Sequence, residues 1–297
     1  MTDLLEPLRR GLGRDGRPIP AYDTLGLAVR DVVSGSSTVR LPNNPVLLDG
    51  SGAVLPGALA VLADCCCGGA VASALTGPGT TLTAQMRVEF VRPIPVGTRW
   101  LDGRGEVDVV DDEGGLARGE LVDDRDELLA VSSMRALRAL DRPATATTDP
   151  RPDAAPVARP VAGPVADARP LLEALPVHAL LGVTERTVGG GGARWTLTPG
   201  WDTANSFGAV HGGVVGMLAH LVATDAQRSV LRDGERLAPL DLVLNYYRAV
   251  LAGDVVAHVA AEVTHRGRRF VVAEGEIAPP GGRVAARFSV GGQIRRR

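Results

Sequence analysis

The residues best suited to chemistry fall into two sets far apart in the chain. One is Asn205, followed six residues on by His211-Gly212-Gly213, where an apolar stretch with helical spacing begins. Backbone N–H groups at a helix N-terminus carry partial positive charge and lack intrahelical partners, so they can polarise a carbonyl. Glycine at that point lets a substrate approach the backbone closely. The other is Asp64, a carboxylate inside a second apolar stretch from Pro56 to Leu75. A carboxylate there can act as a general base on water or attack a carbonyl itself. Joined, the two sets supply what acyl transfer needs.

An internal repeat says how they come together. Shifted by 156 residues, the chain aligns on itself without a gap from about Leu25 to Met134. Gly52-Ala53-Val54-Leu55-Pro56-Gly57 falls on Gly208-Ala209-Val210-His211-Gly212-Gly213, and Leu62-Ala63-Asp64 falls on Leu218-Ala219-His220. A self-match of this length reads as one fold duplicated and fused. The second copy keeps Asn205 and His211-Gly212; the first keeps Asp64. Each has lost what the other retains, so one working site built from both is expected.

Each copy shows the same order of elements. A short helix (Asp23 to Gly26; His178 to Gly182) leads into a strand pair (Leu27 to Leu41; Val183 to Leu197). A loop follows, then one long helix, Pro56 to Leu75 or Gly212 to Leu231, with apolar residues at helical spacing. Alternating strands such as Met86 to Arg92 and Leu240 to Tyr246 close each copy. The pattern is α+β, with the sheet wrapped on a helix that must be apolar over a broad surface. The expected division is a polar lead-in over 1–22 with a short helix, domains over 23–141 and 171–297, and a Pro/Ala-rich linker over 142–170.

Composition narrows the function classes. Of 297 residues, 45% are hydrophobic and only 3% aromatic, so each copy can bury a core that must be aliphatic. A net charge of −2 gives no reason to expect nucleic acid or an anionic membrane as partner. Met1 to Glu6 lacks a basic segment before an apolar run, and no stretch reaches the ~18 apolar residues that span a bilayer. A soluble, cytoplasmic protein is expected. The three cysteines are consecutive, Cys65-Cys66-Cys67, which suits neither a disulfide framework nor spaced zinc ligands.

The run Asn205-Ser206-Phe207-Gly208-Ala209-Val210-His211-Gly212-Gly213, with its helix and the later Tyr246-Tyr247-Arg248, resembles the PaaI-like acyl-CoA thioesterases of the hotdog fold. Val263-Thr264-His265-Arg266-Gly267-Arg268-Arg269 is similar to that family's closing hairpin. The resemblance covers both copies. It implies two tandem hotdog domains, each a long central helix wrapped by an antiparallel β-sheet, paired as an intramolecular pseudo-dimer with sites in the seam. It also implies that each site takes Asn and His-Gly from one partner and a carboxylate and a hydroxyl from the other. Carried over, that set is Asn205, His211 and Gly212 with Asp64 and Thr83. The mirror set is Asp49, Leu55 and Pro56 with His220 and Pro239, and it lacks every one of those groups. Proline has no N–H to offer where Gly212 has one, although the first helical turn tolerates it.

The implied activity is hydrolysis of an acyl-CoA to free acid and CoA, with no metal or cofactor. Arg266, Arg268 and Arg269 are candidates for the CoA phosphates, and association of two such chains is common in the family. Two other readings stand beside it. One is a non-hydrolytic acyl-CoA or ligand-binding hotdog protein. The other is a MaoC-type enoyl-CoA hydratase, whose Asp-x-Asn-Pro-x-His pattern is not met at Asn44-Pro45. The acyl group, the pathway, the oligomeric state and the role of Asp64 as base or nucleophile are not readable from the sequence.

Overall fold

The computed structural model of the chain describes residues 5–139, 175–253 and 255–296. The expected linker over 142–170 lies outside the described residues. The first half carries α1 (Glu6–Arg9), α2 (Pro20–Leu25), β1 (Ala28–Val33), β2 (Ser36–Pro42), α3 (Ala58–Ala74), β3 (Thr80–Phe90), β4 (Trp100–Asp111), β5 (Gly114–Asp123) and β6 (Leu128–Ala139). The second carries α4 (Pro176–Leu180), β7 (Val183–Gly189), β8 (Gly192–Leu197), α5 (Gly212–Arg228), β9 (Glu235–Tyr246), β10 (Ala257–Arg266), β11 (Phe270–Ala278) and β12 (Ala286–Arg296).

All twelve strands form one sheet, in the order β1-β2-β4-β5-β6-β3-β9-β12-β11-β10-β8-β7. The second half of that order is the first reversed, with each strand replaced by its counterpart. The halves meet where β3 pairs antiparallel with β9, and Arg87 faces Val243 there. Those two residues are 156 apart, so a pseudo-twofold axis passes between them. The same axis relates the helices. A Cβ on Gly213 would stand 2.5 Å from the Val61 Cα, and one on Gly57 would stand 3.3 Å from the Met217 Cα. Gly57 and Gly213 are counterparts, as are Val61 and Met217, so each helix presses a glycine against the same position of the other.

The long helices follow from composition. α3 is buried on nearly every side, as an all-apolar helix must be. Both are shorter than the sequence suggests. Pro56 and Gly57 form a turn ahead of α3, and α5 stops at Arg228, where the Ser229 hydroxyl accepts from the Gly191 N–H at 2.9 Å. α2 ends on Gly26, whose φ of 73° is the left-handed stop that glycine allows. Residues 5–19 are more than a polar lead-in. Leu8 of α1 is buried against Val32 of β1 and Ala72 of α3. Among the described residues no helix is long and apolar enough to cross a membrane.

Candidate active site

α5 enters the seam with its N-terminus against the middle of α3. His211 is its N-cap residue, and the imidazole Nδ1 accepts from the Gly213 N–H at 3.2 Å. That same N–H donates to Asp64 Oδ2 at 2.8 Å. The other oxygen, Oδ1, accepts from the Thr83 hydroxyl at 2.6 Å. So the carboxylate from the first half is held by a backbone donor of the second half and a hydroxyl of its own. It is 7% exposed, which makes those two charge-assisted bonds strong. The Gly212 N–H has no acceptor among the described residues, and Gly212 lines the same cavity as Asp64. A Cβ on Gly212 would stand 2.9 Å from both carboxylate oxygens, so glycine is required there by the carboxylate as well as by any ligand.

His211 Nδ1 lies 3.3 Å from Asp64 Oδ2. Burial lowers the imidazole pKa, and the nearby carboxylate only partly offsets this, so the ring is neutral near pH 7. With Nδ1 accepting, the hydrogen-bond network puts the ring proton on Nε2, which faces the Cys65 sulfur at 3.9 Å. Cys65 is buried, and its thiol pKa is raised by that burial and then by Asp64. It is a packing thiol, not a thiolate. Tyr22 and Tyr246 complete the surroundings. Both phenols are pushed well above their usual pKa, chiefly by burial, so both carry their protons. The Tyr246 hydroxyl donates to the Gly212 carbonyl at 2.7 Å, fixing the first turn of α5.

Asn205 has a different job from the one its type suggests. Its Oδ1 accepts from the N–H groups of Phe207 (2.9 Å) and Ala209 (3.2 Å), closing its own loop. Its counterpart Asp49 does the same with Ser51 (2.8 Å) and Ala53 (3.1 Å). The acceptor role is therefore structural in both halves, and what Asn205 adds is the amide Nδ2 at the cavity wall.

The cavity is about 490 Å³. Asp64, Thr83, Asn205, His211 and Gly212 all line it, so the structure brings the five sequence candidates together. It does not bring the arginines. Arg266, Arg268 and Arg269 line neither this cavity nor the second one described below. Arg266 donates to Glu235 Oε2 at 2.5 Å and to the Val230 and Gly267 carbonyls. The hairpin lies by Val230, just beyond the C-terminal end of α5, whereas the cavity is at the N-terminal end. Sequence reading also missed Tyr22, Cys65 and the Gly213 N–H. Only Cys65 carries a local signal, as the neighbour of Asp64.

A second cavity of about 800 Å³ occupies the pseudo-symmetric position. Asp49, Leu55, Pro56, His220 and Pro239 line it, the complete mirror set. His220 stands in place of Asp64, buried against Phe90 with ring centroids 5.3 Å apart. Burial and then Arg228 lower its pKa to about 4. Deeper in, Arg186, Asp225 and Trp195 form a polar cluster. Asp225 Oδ2 accepts from Arg186 at 3.2 Å and from the Trp195 indole at 3.1 Å.

Comparison with known proteins fits this architecture. A family model described as "Thioesterase superfamily" matches residues 207–286. The crystal structure of an acyl-CoA thioesterase II, TesB2, from Mycobacterium marinum aligns with a TM-score of 0.60 at 15% identity, covering 93% of this chain and 97% of that one. A putative thioesterase from Novosphingobium aromaticivorans gives 0.62 at 18% identity, covering 90% and 98%. A conserved protein with a hot dog fold from Alicyclobacillus acidocaldarius gives 0.63 at 12%, covering 93% and 98%. Comparison with curated protein sequences found no match. At these identities the likeness establishes the fold: an α+β hotdog architecture over nearly the whole chain.

Proposed function

We propose that the protein is a PaaI-like acyl-CoA thioesterase with one composite site. In this reading two fused hotdog domains, residues 23–141 and 171–297, supply opposite sides of that site. The observation that carries it is the buried Asp64 carboxylate of the first half, hydrogen-bonded to the Gly213 N–H of the second and adjacent to the open N–H of Gly212. The matching family model and the thioesterase-like fold support the same chemistry.

The thioester carbonyl oxygen accepts from the Gly212 N–H, where the α5 dipole stabilises the negative charge that builds up on attack. Asp64 supplies the carboxylate, and the Thr83 hydroxyl and the Gly213 N–H hold it at the reacting carbon. His211 fixes the turn that aims both amides. The Asn205 amide Nδ2 is a donor for the substrate. Hydrolysis adds water across the C–S bond: oxygen goes to the acyl carbon, and CoA leaves as its thiol. Coenzyme A enters as part of the substrate, and no resident cofactor takes part. The mirror cavity is silent, because Pro56 has no N–H and Pro239 and His220 replace the hydroxyl and the carboxylate.

The test is CoA release from a panel of short, medium, long and aromatic acyl-CoAs. Asp64→Asn should lose about 10²–10⁴-fold in kcat, while His220→Ala retains it. Activity that survives Asp64→Asn would sink the composite site. Tight acyl-CoA binding without any turnover would move the protein to the ligand-binding class. Single turnover in ¹⁸O-water then tests the nucleophile role, since label enters the Asp64 carboxylate only if water opens an acyl–Asp64 anhydride at the Asp64 carbonyl.

A further inference from the structure

The N-terminal segment gives the proposed site its depth. From Asp64 the cavity follows one face of α3 past Cys65, Gly68, Gly69 and Ala72. These side chains are small, and Val29 and Val32 of β1 with Ser37 and Val39 of β2 also line the cavity, Ser37 lying directly against Gly69. The counterpart face of α5 carries Leu221, Thr224, Asp225 and Arg228 instead, all lining the mirror cavity. So this helix face is lined by small side chains where its counterpart carries bulkier and charged ones.

That channel has an end. Leu8 of α1 is buried on Ala72 and Val32, and Leu8, Leu12 and Gly13 all line the cavity. The segment is tied down at both sides of the seam. The Arg14 guanidinium donates to the Leu75 carbonyl and, at 3.2 Å, to the Gly79 carbonyl, in the loop after α3. The Gly13 backbone lies against Ser206 of the second half, so close that a Cβ would stand 2.7 Å from the hydroxyl oxygen. Residues Leu8 to Arg14 thus form a strap across the channel from Ala72 to the Asn205 loop.

We propose that this strap is the end wall of the acyl channel and restricts the enzyme to medium-chain acyl groups. This rests on the thioesterase reading of the same site. Asp64 and Ala72 are eight residues apart, about 12 Å along the helix, which an extended acyl chain of about nine carbons spans. Longer chains meet Leu8 and Leu12. Each methylene that enters the channel raises affinity about fourfold, whereas a chain too long for the channel meets the wall and holds its thioester back from Asp64.

Two series test it: CoA release from acyl-CoAs of graded length, and calorimetric affinity for S-alkyl-CoA thioethers, which cannot be hydrolysed. Wild-type kcat/KM should peak near octanoyl- to decanoyl-CoA and fall at least about tenfold by hexadecanoyl-CoA. Leu8→Ala/Leu12→Ala should bring hexadecanoyl-CoA to within a few-fold of octanoyl-CoA. Ala72→Leu, which shortens the channel from the helix side, should move the optimum to shorter chains. A wild type that turns over hexadecanoyl-CoA as well as octanoyl-CoA overturns the cap but not the thioesterase. So does an unaltered length profile in both variants. If no acyl-CoA is turned over but thioether affinity climbs to octyl and stops, hydrolysis fails and the cap stands. Affinity without a length limit overturns the cap in either case.

Discussion

Replacing Gly212 by alanine should separate activity from stability. The new Cβ would sit 2.9 Å from both oxygens of Asp64, against an ordinary C···O contact of about 3.3 Å or more. The carboxylate must retreat by roughly 0.4 Å, and it is pinned on one side by the Thr83 hydroxyl and on the other by the Gly213 N–H. Any retreat lengthens one of these bonds and misaims the carboxylate relative to the Gly212 N–H. Since a misplacement of about 1 Å can cost about 100-fold, a loss of about 10- to 100-fold in kcat/KM is expected, or about 1.4–2.7 kcal/mol. Stability changes less. Weakening one charge-assisted bond costs at most about 1.5–3 kcal/mol. Restricting the unfolded chain by a Gly→Ala change returns about 0.4–1 kcal/mol. The melting temperature should fall by only a few degrees. The control is Pro56→Ala, at the equivalent position of the mirror half, which should leave kcat/KM intact. The assay is thiol release at saturating and limiting acyl-CoA, beside thermal unfolding of each variant. A folded Gly212→Ala protein with wild-type kcat/KM would refute the placement of the reacting carbonyl.

Two further outcomes follow from the same geometry. Thr83→Val removes the donor to Asp64 Oδ1 and should lower kcat by about 10- to 100-fold with little change in KM, while Thr83→Ser restores most of it. Stability should fall in mild acid. His178 and His220 both have folded pKa values near 4 against an ordinary 6.5, first because of burial and then because of Arg186 and Arg228 respectively. A base whose pKa is depressed by folding binds its proton more readily in the unfolded chain. Their contribution is therefore complete above about pH 6.5 and is lost as pH falls toward 4. Unfolding measured across that window should take up extra protons, with His211, whose pKa burial also lowers, adding to the uptake of His178 and His220, and the uptake should be about one proton smaller in His220→Leu. A pH-independent stability between those limits would contradict the buried neutral rings.

Much of this was legible because the repeat has no insertions. A fixed offset carries a residue in one half onto its counterpart, so it placed Asp64 and His220 at equivalent sites before any coordinates. What the offset cannot show is direction. The amide that meets Asp64 belongs to Gly213 rather than Gly212, a matter of one peptide's orientation in a cap. Tyr22 reaches the site from α2, and it has no neighbours in sequence that mark it; Tyr246, part of the run Tyr246-Tyr247-Arg248, reaches it from β9. The partner of Arg266 is another thing the sequence does not show. A cluster of like charges suggests an anionic ligand until its intramolecular partner is known, and Glu235 lies 31 residues away. Asn205 is a mixed case, since its carbonyl oxygen does what Asp49 does and only the amide nitrogen differs. The strap was invisible because Leu8 and Leu12 stand among charged residues and glycines, and the burial of Leu8 depends on a helix some sixty residues on.

The pairing of β3 with β9 has a consequence for how the chain can exist at all. Both strands are long, eleven and twelve residues, and each lies at the inner edge of its own half of the sheet. Taken alone, either half would expose that strand's unpaired N–H and C=O groups as a bare edge, a template for aggregation. A two-chain assembly of such halves would hide its edges only above a threshold concentration, and dilution would uncover them. Here the partner edge is carried on the same polypeptide, at an effective concentration that dilution cannot alter. The same covalent bond removes the symmetry constraint of a dimer of identical chains. A change in one half is not copied into the other, so one helix can keep a glycine-lined face while its twin fills the same space with Asp225 and Arg228.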